Sequence, residues 1–261
     1  MDINLSGQVA IISGGLGDIG KAIVASLARC GASVAVGDIR PEGEAEPFIE
    51  ALHASGAGIR YDRVDIADPH AVAEWVENVV QELGTPTLVI PNAAIVTLKG
   101  VCEVTPAEWN RELAINLSGA FYLAQATVRH LLNAKLPGRI VFIGSWAAEA
   151  PHTGLPTYSV SKAGLRMLMR SLALNLASNG ILVNEIAPGY VDAGLSGQIF
   201  ADYPEIRANA ERTVPLGTLI TPDDVARQVL YLCDPENRQM TGSVVLMDGG
   251  LSLITPGRQH E

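Results

Sequence analysis

The sequence predicts an α/β fold in which a seven-stranded parallel sheet carries helices on both faces within one domain, residues 1–261. Two observations lead there and a third sets the scale. Short β-branched runs bounded by Gly, Asp or Pro alternate with longer segments of helical period, the pattern of βαβ units. No long linker, repeat or low-complexity tract interrupts the alternation. With 48% of 261 residues apolar and a mean hydropathy of +0.23, the chain is long enough to bury a core without disulfides or a structural metal.

The predicted strands are 9–13, 33–38, 59–64, 87–91, 139–145, 181–187 and 243–247. Between them, 18–29, 42–55, 69–83, 106–133, 157–179 and 222–232 repeat apolar residues every three or four positions, which gives each helix one face to bury. Thr105-Pro106 and Thr221-Pro222 place an N-cap ahead of a proline at the first helical position, and Gly180 stands where a C-cap belongs. Residues 189–217 form an insertion with no strand of its own, of the length that lids and binding segments have. Residues 255–261 read as a polar tail.

Eighteen Lys plus Arg face 28 Asp plus Glu, a formal net charge of −10. That balance argues against a nucleic-acid surface or an anionic membrane face, and leaves small-molecule chemistry. Cys30, Cys102 and Cys233 form no CxxC and read as small core hydrophobes, and the five histidines show no metal-ligand spacing. Residues 1–7 lack a basic or apolar leader, and the most apolar stretch, 87–98, is broken by Pro91 and Asn92. A cytoplasmic protein with no membrane span and no metal is expected.

Gly15, Gly17 and Gly20 make a GxGxxG between the first strand and the first helix. Glycine lets backbone approach a pyrophosphate there, and the helix start offers free N–H groups and a positive dipole end. The bland alternative is a glycine-rich turn without a ligand. The second strand ends at Asp38, eighteen residues past Gly20, where a carboxylate accepts the ribose hydroxyls of an adenosine and repels a 2′-phosphate. NAD is therefore expected over NADP, with Arg40 arguing the other way; an ordinary strand-end turn is the alternative for Asp38.

The fifth strand delivers Ser145 to the carboxyl edge of the sheet, where open α/β folds bind ligands. Thirteen residues on, Tyr158 and Lys162 stand four apart, on one face of a helix. A phenol is a poor base at neutral pH, and a neighbouring cation favours the phenolate. Tyr158 would then take a proton from an alcohol while a bound nicotinamide takes the hydride, or return it to a carbonyl. Without a ligand, the pair reads as a half-buried helix aromatic beside a solvated lysine.

Together, Ser13, Gly14 to Gly20, Asp38, Asn92-Ala93-Ala94, Asn116, Ser145, Tyr158 to Lys162, Pro188-Gly189 and Asp248-Gly249-Gly250 resemble the short-chain dehydrogenase/reductase family nearly end to end. The resemblance implies a Rossmann fold and an oxidoreductase acting on CH–OH groups. It implies Tyr158 as acid–base catalyst and Ser145 as partner of the reacting oxygen. Lys162 would lower the tyrosine pKa and hold the nicotinamide ribose, and Asn116 would anchor a water linking Lys162 to solvent. The implied cofactor contacts are Ser13, Gly14, Gly15, Gly17, Asp18, Ile19 and Gly20 at the turn and Asp38 at the ribose. Asp65 and Ile66 would lie at the adenine, Asn92 and Ala93 below it, and Pro188, Gly189 and Val191 by the nicotinamide. Helices 106–133 and 157–179 carry more apolar surface than one sheet face needs, and the family pairs them between subunits, which implies a homotetramer.

Five positions depart from the family pattern. Ser13 replaces a threonine, and Asp18 replaces a glycine; a carboxylate beside a pyrophosphate is unfavourable unless it caps its own helix, which is the expectation for Asp18. Pro91 and Ala94 flank a retained Asn92-Ala93, and Ala193 replaces the threonine that holds the carboxamide. Trp146, His152 and Tyr190, with Ser145 and Tyr158, are the expected substrate contacts, and an indole beside Glu149 and His152 suits a small polyol, sugar or hydroxy acid. An NADPH-dependent ketone or 3-oxoacyl reductase, an isomerase or dehydratase, and a non-catalytic NAD-binding regulatory protein remain as alternatives.

Overall fold

A computed structural model of the chain describes residues 3–53, 56 and 58–254; Ser55 and the expected tail at 255–261 lie outside the described residues. The strands are β1 Val9–Ser13, β2 Ser33–Asp38, β3 Ile59–Arg63, β4 Leu88–Pro91, β5 Gly138–Ile143, β6 Ile181–Pro188 and β7 Val244–Met247. They form one parallel sheet in the order β3-β2-β1-β4-β5-β6-β7, the seven-stranded sheet expected from the sequence. Strands β1 and β4 are buried along their whole length, as continuous apolar runs must be in a sheet covered on both faces. Ala10 of β1 is flanked by Val34 of β2 and Leu88 of β4. The strand order reverses there, which opens a crevice beyond the carboxyl ends of β1 and β4.

The helices are α1 Asp18–Arg29, α2 Glu42–His53, α3 Pro69–Leu83, α4 Pro106–Leu113, α5 Ala120–Ala134, α6 Pro156–Leu176, α7 Gly194–Asp202, α8 Pro204–Thr213 and α9 Pro222–Cys233. Ile23 and Leu27 of α1 pack with Val225 and Val229 of α9 on one face of the sheet. Trp75 of α3, Leu123 of α5 and Met169 of α6 share the core on the other. The expected caps form: Thr105 with Glu108 and Thr221 with Asp224 make reciprocal capping boxes, which satisfy backbone donors that a helix start leaves free. Gly180 takes the left-handed conformation at φ 72°.

Four expectations need correction, and that of a strandless insertion gains detail. The 106–133 helix is not uniform: α4 and α5 are joined by a π-helical segment, Ala114–Gly119. Its centre is Asn116, whose amide bonds to the Ile95 backbone and to Ser161, and the wider turn brings it there. The 139–145 strand stops at Ile143, and Ser145 instead caps a short 3-10 turn, Trp146–Ala148. The 157–179 helix becomes α6 followed by a 3-10 turn, Ala177–Asn179. The strandless insertion at 189–217 folds into α7 and α8. Cys102 is exposed, whereas Cys233 is buried and Cys30 half-buried, so only Cys233 is a fully buried core thiol.

Candidate active site

The crevice holds a cavity of about 470 Å³ bordered by the glycine turn, the ends of β2 and β4, and α6. Gly14 has φ +66°, and a side chain there would lie 2.7 Å from the Cα of Ala93; at Gly20 it would lie 2.2 Å from the Gly14 carbonyl oxygen. Only glycine lets the turn fold this tightly. The Ser13 hydroxyl accepts from the Asn92 and Ala93 amides, and Asn92 Nδ2 donates to the Ser13 and Gly14 carbonyls at 3.1 and 2.9 Å. Asn92 thus staples the turn to β4. Gly17, Asp18, Ile19 and Gly20 line the cavity at the start of α1, which has no side-chain cap. Its free N–H groups and glycine cradle fit the diphosphate of a dinucleotide. Gly15 lies behind the cavity, where a side chain would strike Val36 at 2.4 Å.

Asp18 does not cap its own helix. Its Oδ2 accepts from the Gly194 amide at 2.7 Å, so the carboxylate ties the turn to the start of α7. Asp38 accepts from the Leu16 amide at 3.0 Å and the Arg40 amide at 3.2 Å, which fixes its carboxylate at the cavity wall. The Arg40 guanidinium donates to the Leu16 carbonyl at 3.1 Å. Asp65 and Ile66 also line the wall, with Arg111 paired to Asp65 at 3.3 Å. Ala93, Pro188, Gly189 and Val191 complete the far side.

Ser145, Tyr158 and Gly189 border this cavity and also a second one of about 380 Å³. Two chambers therefore share the serine and the tyrosine in their walls. Tyr158 and Lys162 lie one turn apart on α6, with Lys162 Nζ 5.5 Å from the Tyr158 ring centre. Nζ donates to the Ile143 carbonyl at 2.9 Å. Burial pushes Tyr158 up from its ordinary value, Ser145 pulls it back, and Glu112 adds to the rise. Burial lowers Lys162 itself to about 8, against the pull of Glu185 and Glu112. Asn116 borders neither cavity; its amide donors are both engaged, one to the Ile95 carbonyl at 2.9 Å and one to Ser161 Oγ at 3.1 Å. Behind Ser145, buried Arg166 donates to the Ser145 carbonyl at 3.1 Å and to Glu185 at 2.9 Å.

The second cavity brings together Trp146, His152 and Tyr190, with Trp146 ring centres 4.5 Å from His152 and 5.5 Å from Tyr190, both edge-on. Burial lowers the His152 pKa, which favours the neutral imidazole. Glu149 turns away to Arg166 at 2.6 Å. Leu98, Phe200, Ile206 and Asn209 also wall this cavity; the last three lie in the 189–217 insertion, whose length alone marked it as a binding segment, and no motif singles out the individual residues.

Comparison with known proteins agrees with this geometry. The family profile described as enoyl-(acyl carrier protein) reductase matches residues 15–252. The chain is 31% identical over 252 residues to the 3-oxoacyl-(acyl-carrier-protein) reductase FabG of Escherichia coli strain K12, covering 97% of this chain and 100% of the relative. It is 32% identical over 248 residues to the cis-4-hydroxycyclohexanecarboxylate dehydrogenase of Sinomonas cyclohexanicum, covering 95% and 97%. Among solved structures, a short-chain dehydrogenase/reductase from Serratia marcescens superposes with a TM-score of 0.88 at 32% identity, covering 95% of this chain and 99% of that one. With a profile match across the fold and relatives aligned over nearly their full length, this chain belongs to the short-chain dehydrogenase/reductase family, oxidoreductases of alcohol and ketone groups that use a nicotinamide cofactor.

Proposed function

We propose that the protein is a NAD-dependent dehydrogenase that exchanges a hydride between NAD and an uncharged secondary alcohol carrying an apolar ring. The observation that carries this is that two chambers share Ser145 and Tyr158 in their walls. In this proposal the glycine turn, Asp38 and Lys162 hold the dinucleotide, which supplies the hydride acceptor when bound. Ser145 Oγ and Tyr158 Oη hydrogen-bond the substrate oxygen, and Tyr158 receives its proton. Lys162, anchored on the Ile143 carbonyl, stands within reach of the tyrosine ring to relay charge. One domain does all of this, with residues 189–217 covering the substrate.

The substrate chamber supports the choice of alcohol. Its described lining has the Trp146, His152 and Tyr190 rings, Val96, Leu98 and Phe200, and no Lys, Arg, Asp or Glu. A hydroxy acid would bury its carboxylate there without a cation. NAD rather than NADP follows from Asp38, which would face a 2′-phosphate with like charge. A cytoplasmic site of action fits three unpaired thiols and the absence, among the described residues, of a helix long and apolar enough to cross a membrane. A homotetramer is supported by an exposed stripe on α6 of Val160, Met167 and Leu174.

The test is NADH formation across a panel of cyclic alcohols, polyols and hydroxy acids, each with NAD and with NADP. Cyclic alcohols with NAD should lead. Tyr158→Phe should bind NAD nearly as before, yet lose about 10²-fold or more in rate. The FabG relative makes a second reading specific: a 3-oxoacyl thioester reduced faster with NADPH than any alcohol is oxidised with NAD would replace the proposal.

A further inference from the structure

Glu112 is the one buried residue of α4, with 0% of its surface exposed. Its Oε2 accepts from the Thr97 amide at 3.1 Å. Its Oε1 is buried with no hydrogen-bond partner. A buried polar atom without a partner is rare and asks for a proton, a water or a role. Four residues on, Asn116 holds the same segment at Ile95, so Glu112 is not needed alone to anchor that loop.

The helix that carries Glu112, α4, packs against α6, which carries Tyr158 and Lys162. Glu112 interacts with Lys162 and with Tyr158 of α6, raising both. Burial raises Glu112 in turn, with the Thr97 amide and the Lys162 charge pulling it back. Other charges nearby are committed elsewhere: on its own helix Arg111 pairs with Asp65 and Glu108 with Lys99. From β6, Glu185 faces Lys162 but is bonded to Arg166. Lys162 has a single described hydrogen bond, to Ile143, which leaves ammonium protons to give.

We propose that Glu112 is a positioning residue for the catalytic proton, acting through Lys162: its free Oε1 accepts a proton from Nζ across a bridging water and later returns it. In alcohol oxidation the substrate O–H proton moves to Tyr158 Oη and then to Nζ, while Nζ releases one of its own to Oε1. Each O–H or N–H bond broken is matched by one formed, and the products are a phenolate, an ammonium and a carboxylic acid. Reduction runs the same path backwards. The only redox partner is the nicotinamide of the established reaction class. The inference rests on the acid–base reading of Tyr158 and Lys162, and on no particular alcohol.

Glu112→Gln keeps an oxygen for the Thr97 amide but cannot take a proton, so it separates proton holding from loop anchoring. We expect kcat for alcohol oxidation to fall about tenfold with KM within about threefold, a modest share of what proton transfer contributes. The alkaline limb of the pH profile should move to lower pH, because removing the carboxylate removes what raises Tyr158 and Lys162. Independently of turnover, infrared difference spectra of the wild-type protein against the variant should reveal a carboxylic-acid C=O band that titrates. If Glu112→Gln fails to fold, Glu112→Asp replaces it, since the shorter arm withdraws the acid from Lys162. An unchanged kcat and pH limb in the folded variant, or no acid band at any pH, overturns the proposal. Wild-type protein inactive with both dinucleotides would defeat the functional reading while leaving the infrared arm to decide on Glu112.

Discussion

In the proposed reading, Asp38 sits where one phosphate group separates NAD from NADP. Its carboxylate is held at the cavity wall by two backbone amides, and Arg40 stands two residues on. Replacing Asp38 by Gly removes the repulsion and leaves the guanidinium, so kcat/KM for NADP relative to NAD should rise about tenfold or more; steady-state kinetics with both dinucleotides measures it. Lys162 gives a second residue-scale prediction. With its pKa lowered to about 8, it is charged below that pH and neutral above, so the ketone-reducing rate should be level at lower pH and fall as pH rises past about 8. These residues were legible because their signal is local: glycine spacing after a strand, an acid at a strand end, a phenol and an amine one helical turn apart. Glu112 was not. Nothing in Pro106 to Leu113 tells an amphipathic helix's solvated carboxylate from one turned inward, since burial is decided by what the helix packs against. Asp18 was read as a local cap, yet its partner Gly194 lies 176 residues away.

At the scale of elements, the helices were legible from caps and periodicity, whereas the breaks within them were not. The π-helical segment exists because Asn116 reaches across to Ile95 and Ser161, a tertiary demand that no local propensity records. The insertion was legible as strandless and illegible as two helices, because apolar residues there divide between a chamber, as Phe200 and Ile206 do, and the interior, as Val214 does. The Asp18 bond makes that segment testable: Asp18→Gly should free the start of α7 and speed proteolysis within 189–217 several-fold, with global unfolding little changed. Arg166 and Glu185 link α6 to β6 in the dry interior, with side chains 5% and 0% exposed. Removing one partner strands the other's charge, so Arg166→Met should lower stability by about 3–5 kcal/mol, and Arg166→Met with Glu185→Leu should recover most of it. Chemical denaturation of the three proteins is the check.

For the whole molecule, the fold was legible nearly strand for strand, because parallel strands buried on both faces are written as short apolar runs that turn residues punctuate. What lies between molecules is less so. Val160, Met167 and Leu174 repeat every seven residues along α6 at 48%, 60% and 85% exposure, an apolar stripe that a lone subunit would leave wet. If subunits pair through it, Met167→Asp with Leu174→Asp should reduce the molar mass measured by light scattering. A wild-type protein that already runs at 27.5 kDa would dispose of the tetramer.

The placement of β1 also bears on synthesis. The first strand of the sheet to be made is an interior one: β1 pairs with β2 soon after, but its other edge waits for Leu88 to emerge, and β7, the last strand of the sheet, closes the far side. A nascent chain therefore spends much of its translation with an apolar strand edge unpaired. Chaperone demand should track that interval, and slowing translation just before β4 should lower the soluble yield more than slowing it after β6.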